Sequence, residues 1–388
     1  MTIKLEKACA RVIALVALAA TLSILNVLSC DVRADPDLPI HNIDTGIDYA
    51  TIQEAINANE TSDGHIIQVD AGIYYEHIVI NKSISLIGQE KLDTIIDGNG
   101  NLTVIQVTAN NVSITGFTMQ NTATGYSAIR VEGSANNNIT DNIIRDTYYG
   151  IRLHNSHNNT ILHNEALNNS YTGINLFFSM ENTISNCNFA NNVHSGVFLF
   201  NSTNNNVHNN IFSDNKFGVS ATDSSNNLIY CNNVSSSETG IRITGSSNNL
   251  IYCNNVSSSE TGILLSESSK NTISNNTLFS SSEAGILLES SNNNFLLNNT
   301  AQNNEYAGVH LSFSSNNTLL FNNISNNQYG IRLANSENCT ISENKAINNS
   351  YGISLSASLD NSFWHNNIQE DQYGIHFDHS SNNTIINN

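Results

Sequence analysis

Basic side chains are scarce in this chain of 388 residues, with 14 Lys and Arg against 33 Asp and Glu and a formal charge of -19. So acidic a chain does not hold nucleic acid by neutralising phosphates, and no nucleic-acid partner is expected. Charged residues make up only 12% of the chain, hydrophobic ones 39%, and there are 2 prolines, a composition that agrees with an extracytoplasmic solenoid. The repeat region holds no helical apolar stripe, which excludes helical solenoids. No CxxC pair occurs, so the usual zinc and redox motifs are missing.

What the chain does have is a period. Glycine followed by Ile or Val recurs at Gly150, Gly173, Gly196, Gly218, Gly240, Gly262, Gly285, Gly308, Gly330, Gly352 and Gly374, in steps of 22 or 23 residues. A fixed period of this size marks a solenoid whose units bury their apolar faces only by stacking. Within each unit the apolar residues sit two apart, as in Ile151 and Leu153 or Ile174 and Leu176, which is strand patterning. Short strands that coil in one direction pair in parallel with their equivalents one turn later. The expected fold is therefore all-β, a single-stranded parallel β-helix with coils of about 22 residues; twelve rungs would make a rod on the order of 55 Å long. The segment Ser224 to Ile241 is repeated identically at Ser246 to Ile263, which preserves register only if the unit is one full turn.

Three residues after the apolar strand residue stand Asn142, Asn164, Asn210, Asn232, Asn254, Asn276, Asn322, Asn344 and Asn366, with Cys187 as the departure. In a coil this column stacks, and each amide can bond the next in a ladder. The alternative is that these asparagines are solvated turn formers.

Residues 1–34 read as a signal peptide: Lys4, Lys7 and Arg11 precede an apolar stretch from Val12 to Ser29, and cleavage is expected after Ala34. Two alternatives stay open, a lipidated Cys30 and an uncleaved membrane anchor, and these are the expected routes to a membrane. Residues 35–100 are expected to form an N-terminal cap and first coils. The cap includes a short helix at Thr51 to Asn57, where Thr51 and Glu54 have capping-box spacing. The β-helix repeats then fill residues 101–388. The sequence stops inside a new turn, which reads as a fragment end or as a rung covered by another subunit. Cys231 and Cys253 hold the same place in successive turns, within disulfide reach by Cα spacing. Asn-x-Ser/Thr sequons recur, for example at Asn111, Asn138, Asn201, Asn233, Asn255, Asn323 and Asn348.

The stretch from Thr51 to Gly98, with the Gly-Ile-x-Leu and Asn-Asn-Thr-Ile repeats, resembles the NosD-like β-helix proteins of the pectin-lyase-like superfamily. The resemblance implies a right-handed coil and a secreted, periplasmic or cell-surface location. It also implies one of three activities: periplasmic copper binding, carbohydrate binding or sugar hydrolysis.

The residues that point away from the core beside each glycine form surface columns. Early in the rod they gather Phe177, Phe198 and Phe200 beside Arg130, Arg152 and His154. Exposed aromatics flanked by planar donors suit a glycan or another cell-surface component; a patch covered by a loop or partner chain is the other reading. No catalytic residue is assigned. The outward carboxylates Glu132, Glu289 and Asp378 stand several turns apart, Asp141 and Asp146 lie on a corner near Arg152, and the Asp-Asp pair of the superfamily's hydrolases is missing. No metal ligands or cofactor are assigned either, since His154, His157 and His163, and His376 with His379, read as exposed polar residues. The expected function is non-catalytic binding along the outer face, with a polysaccharide lyase or glycoside hydrolase second and copper delivery third.

Overall fold

Three strands and three corners make up each coil. Between residues 206 and 222, for example, the strands are Asn206–His208, Ile211–Ser213 and Phe217–Thr222. A computed structural model, which describes residues 38–388, stacks equivalent strands into three sheets of 17, 14 and 14 strands. In the sheet that carries the glycines, Ile151 pairs in parallel with Ile174, then Val197, Val219 and Ile241 follow in the same column. At 4.7–4.9 Å per strand, its 14 strands span about 60 Å. The inward residues form one core that runs from Ile40 to Phe363. The parallel β-helix read from the period is therefore the observed fold.

The repeated glycine answers a steric demand and not a conformational one, because none of the eleven adopts a positive φ. A Cβ at Gly150 would lie 2.3 Å from the carbonyl oxygen of Gly173, and one at Gly196 would lie 2.4 Å from Cδ1 of Phe212. Adjacent coils approach too closely there for any side chain.

Corners turn through single left-handed residues, where asparagine is the best tolerated residue after glycine. The two readings of the asparagines turn out to apply to neighbouring positions. Asn209, with φ 55°, is an exposed turn former, while Asn210 beside it is buried. The buried member joins the ladder. Asn232 Nδ2 donates to Val207 O of the preceding coil at 2.9 Å and to Asn254 Oδ1 of the next at 3.0 Å, and its own Oδ1 accepts from Asn210 N and Nδ2, each at 3.1 Å. Its amide is fully satisfied. The same column takes in Asn299 and Asn388 as well as the nine named above. Cys187 interrupts it; there Asn164 N meets only a sulfur, at 3.4 Å.

This column is one of four. A second asparagine ladder runs from Asn137 through Asn159 and Asn182 to Asn317, and a serine column beside it accepts one backbone N–H per coil, as from Ser224 N to Ser246 Oγ at 2.9 Å. A discontinuous third asparagine series includes Asn169, Asn192 and Asn215, then Asn304, Asn327 and Asn349, which ends on Asp371. Most corners thus supply inward polar groups that a neighbouring coil saturates, while Ser281 Oγ and Asp371 Oδ2 are buried without a partner.

At the N-terminal end, Ile40–Asn42 pairs antiparallel with both Ile47–Tyr49 and Ile66–Val69, so a hairpin absent from the sequence reading covers the first parallel strand of that sheet. Helix α1, Ile52–Asn57, buries Ile52, Ala55 and Ile56, and the Thr51 side chain accepts from Glu54 N. The expected leader at residues 1–34, with Cys9 and Cys30, lies outside the described residues. Cys231 and Cys253 carry free, exposed thiols on consecutive coils, whereas Cys187 and Cys339 sit inside ladder columns. Burial pushes these two thiols up to about 12 and about 11, which leaves them without thiolate character.

Removing a ladder amide strands both a backbone N–H and a carbonyl, each worth about 1–3 kcal/mol when buried and unpaired. Asn254→Ala is therefore expected to lower unfolding free energy in urea by at least about 2 kcal/mol, while Asn233→Ala on the exposed side changes it by less than about 0.5 kcal/mol. Cys187→Asn, which completes the column, is expected to stabilise by about 1 kcal/mol.

Candidate binding face on the glycine sheet

On the long strands of the glycine sheet the residue between the two inward aliphatics points away from the core. Several such residues are nevertheless covered: Asn175 is 4% exposed, Ser220 1% and Leu287 3%. An outward residue on a sheet can be buried only by taller neighbours. These stand in two rows, one formed by residues just before each strand, such as Tyr148, Tyr171 and His194, and one by the strand ends, such as His154, Phe177 and Phe200. The face is thus a shallow trough along the rod.

All six residues picked out in the sequence fall in one contiguous cluster here. Glu132 ties Arg130 and His154 together, taking Arg130 Nε at 2.6 Å on Oε2 and His154 Nδ1 at 2.6 Å on Oε1. Burial alone would raise the Glu132 carboxyl, but the bonds from His154 and Arg130 outweigh it and hold the group below its ordinary value. The His154 ring lies 5.4 Å from Phe177, which stacks on Phe200 at 5.2 Å and 10°. Phe198 meets Phe200 at 6.4 Å and His194 edge-on at 5.2 Å. The Arg152 guanidinium lies over Tyr149 at 4.9 Å and Phe177 at 5.6 Å.

Five further aromatics complete the patch, and the sequence alone does not single them out. Tyr148, Tyr171 and His194 form a continuous stack at 5.3 and 4.7 Å, with Tyr149 edge-on to Tyr171. Tyr148, Tyr171 and His194 share one signal, the position two residues before the repeat glycine. Phe178 is the most exposed member at 46% and has a φ of 51°, an unfavourable conformation for a bulky residue. It packs edge-on against Phe177 at 4.5 Å. The equivalent corners at Asn155, Asn201 and Phe313 turn in the same way.

Asp141 and Asp146 are exposed corner residues with φ near 53° and 54°, and among the described residues no ion pair joins either to Arg152. The sequon asparagines Asn111, Asn138, Asn201, Asn233, Asn255, Asn323 and Asn348 are all exposed, and Asn201 holds the corner position one coil after Phe178, at the edge of the patch.

A family model described as periplasmic copper-binding protein (NosD) matches residues 56–239 and 233–388. The chain belongs to the NosD family. Over 110 residues it is also 34% identical to a cell surface glycoprotein of Methanothermus fervidus; that match takes in 28% of this chain and 18% of the relative's length. Among solved structures, a double mutant of the periplasmic alginate epimerase AlgG superposes with a TM-score of 0.52 at 14% identity, covering 81% of this chain and 85% of that one. The Dettilon tailspike protein superposes with a TM-score of 0.56 at 17% identity, covering 76% and 62%. At such identities the structures speak to fold alone, and they agree with a right-handed parallel β-helix.

The donors present do not match the copper in the NosD family's description. Among the described residues no three His, Cys, Asp or Glu side chains converge on one point. His154 is engaged by Glu132, His379 by Asp378, and His163 occupies a left-handed corner. A copper site needs converging nitrogen or sulfur donors, so these side chains do not fit one.

Further along the trough floor, His310 is largely buried with neither ring nitrogen bonded, and burial, helped by the Arg332 charge, pushes it down to about 4. The unfolded chain binds a proton near pH 6.5 that the folded one refuses, so stability is lost as pH falls from 6.5 toward 4. In urea titrations the loss between pH 7 and 4.5 is expected to be smaller in His310→Leu than in the parent, by about 2 kcal/mol.

Proposed function

We propose that this chain is an extracytoplasmic, non-catalytic β-helix protein that binds a glycan on the outward face of the glycine sheet, at the aromatic patch around Arg152. The observation that carries this is the pairing of two stacked rows, Tyr148–Tyr171–His194 and Phe177–Phe200, with a guanidinium between them and Phe178 projecting beside them. Flat rings suit the C–H faces of sugars, and a guanidinium between them supplies planar hydrogen-bond donors for hydroxyl or acid groups. Clustered, partly exposed apolar residues mark binding sites on soluble proteins.

The family's periplasmic description and the cell-surface relative support a location outside the cytoplasm. Support for binding without catalysis comes from Glu132. It is the carboxylate of the patch, it is neutralised between Arg130 and His154, and glycoside hydrolysis calls for two carboxyl groups facing one bond.

The test is a glycan array followed by calorimetry on the best ligand. Phe178→Ala is expected to weaken binding by about 3- to 10-fold, in line with one aromatic contact, with thermal unfolding unchanged because the side chain is exposed. Capture of no glycan, or an affinity indifferent to Phe178, contradicts the proposal.

A further inference from the structure

Charge is spread unevenly over the three sheets. Each short strand of the 17-stranded sheet turns its first and third residues outward, and from Ser113–Thr115 to Thr384–Ile386 none of these is Asp, Glu, Lys or Arg. The other two sheets turn charged residues outward, Arg145, Glu165 and Lys345 on one and Arg152, Glu289 and Asp378 on the other. In the middle of the uncharged face the outward residues are large and apolar, with Leu228, Tyr230, Leu250 and Tyr252 on consecutive coils and Phe295 and Leu297 two coils further on. His208 stacks on Tyr230 at 4.6 Å and Tyr230 on Tyr252 at 4.8 Å. Burial holds the His208 imidazole below its ordinary value, so it too is uncharged at neutral pH. At the corner that follows the two tyrosines stand the exposed thiols of Cys231 and Cys253.

We infer that this face is an interface between two copies of the chain, packed sheet on sheet about a two-fold axis. Charge and area both select a second copy as the occupant. A chain with 33 acidic residues and 14 basic ones repels its own copies, which can meet at close range only where carboxylates are missing. The seven strands from Thr183–Ser185 to Thr318–Leu320 cover about 34 Å at the strand spacing, and each strand with one corner residue on either side is about 17 Å wide. That outline of roughly 600 Å², before side-chain relief is counted, is of the same order as the roughly 800 Å² per partner of a stable interface. The duplicated coils mark its centre. An axis along the strand direction, midway between Leu228–Tyr230 and Leu250–Tyr252, sets Leu228 and Tyr230 against Leu250 and Tyr252 of the partner subunit, so each copy offers the surface that it receives. The strands of the two copies are then aligned, as in stacked sheets about 10 Å apart. Cys253 lies near Cys253 of the partner subunit at the edge of the contact. The glycine sheet is a different face of the coil and stays open in both copies, whatever it binds.

Sedimentation equilibrium on the intact protein over a range of concentrations is expected to show monomers in equilibrium with dimers. Leu250→Glu puts like charges on both sides of the axis and is expected to weaken association about 100-fold. Ser235→Glu, the same added charge on the neighbouring sheet, is expected to change it by less than about 2-fold. Adding Leu228→Lys to Leu250→Glu sets opposite charges against each other across the axis and is expected to recover about 10-fold. These side chains point outward and are not fully buried, and thermal unfolding reports whether each variant is folded. A second measurement does not depend on the charged variants. In Cys231→Ser, a short bismaleimide is expected to join two chains through Cys253, a link identified by peptide mass mapping. A protein that stays monomeric at the highest concentration, even where another protein binds the face, overturns the inference. So does association that Ser235→Glu weakens as much as Leu250→Glu, or a dimer in which no Cys253 link forms. Failure of the Leu228→Lys, Leu250→Glu double variant to recover association overturns the two-fold arrangement.

Discussion

A tight corner leaves backbone N–H and C=O groups facing inward with no strand beside them, and a rod built of corners every few residues multiplies that debt along its whole length. The asparagine amide settles it. Placed just inside the corner, its Oδ1 accepts from the backbone and side chain of the preceding coil while its Nδ2 reaches a carbonyl there and the amide of the next, as Asn232 does between Asn210 and Asn254. Each coil is saturated only by its neighbours. The rest of the molecule depends on that vertical coupling, because a core this narrow cannot close around a single 22-residue turn.

Stacking this close imposes the other features. Glycine opens the long strand because the next coil's carbonyl occupies the space of a Cβ. Small residues and asparagine fill the corners, and large apolar residues are restricted to the inward columns. Side chains on the outer face are left free of structural duty, yet the register lines them up at 4.7–4.9 Å intervals. Any residue type repeated at one position therefore becomes a row. The aromatic stacks are rows of this kind, and a scaffold that is polar and acidic elsewhere gives them a setting in which they stand out.

Much of this architecture was readable beforehand. The glycine period, the two-residue spacing of Ile151 with Leu153, and the duplicated Ser224–Ile241 segment specify one coil per unit, and the column of Asn142 to Asn366 lies in plain view once the units are aligned. Less visible were the ladders through Asn137 and Asn169 and the serine column. Serine and asparagine at corners look the same in a sequence whether they face water or a neighbouring coil. The N-terminal hairpin was also hidden, because Ile40–Asn42 and Ile47–Tyr49 are three-residue strands without periodicity. At the binding face the strand-borne Phe177, Phe198 and Phe200 were legible by alternation, whereas Tyr148, Tyr171 and His194 precede the strand and take their place only from the way the corner turns. That Arg130 is engaged by Glu132 while Arg152 lies over Tyr149 and Phe177 depends on side-chain packing, which spacing does not reveal.

The claim that one unit is one turn, coupled to the next by side-chain amides, is tested most directly by excision. Deleting residues 246–267 removes one period and brings Ser268 to the place of Ser246, whose N–H it already serves from 22 residues away. The shortened protein is expected to keep its β-rich circular dichroism and its urea midpoint, because every ladder closes again in register. A deletion of half that length from the same point is expected to abolish cooperative unfolding. If the half-unit deletion is tolerated as well as the full one, or if the full one unfolds the protein, coils of this period do not lie directly over one another and the account is wrong.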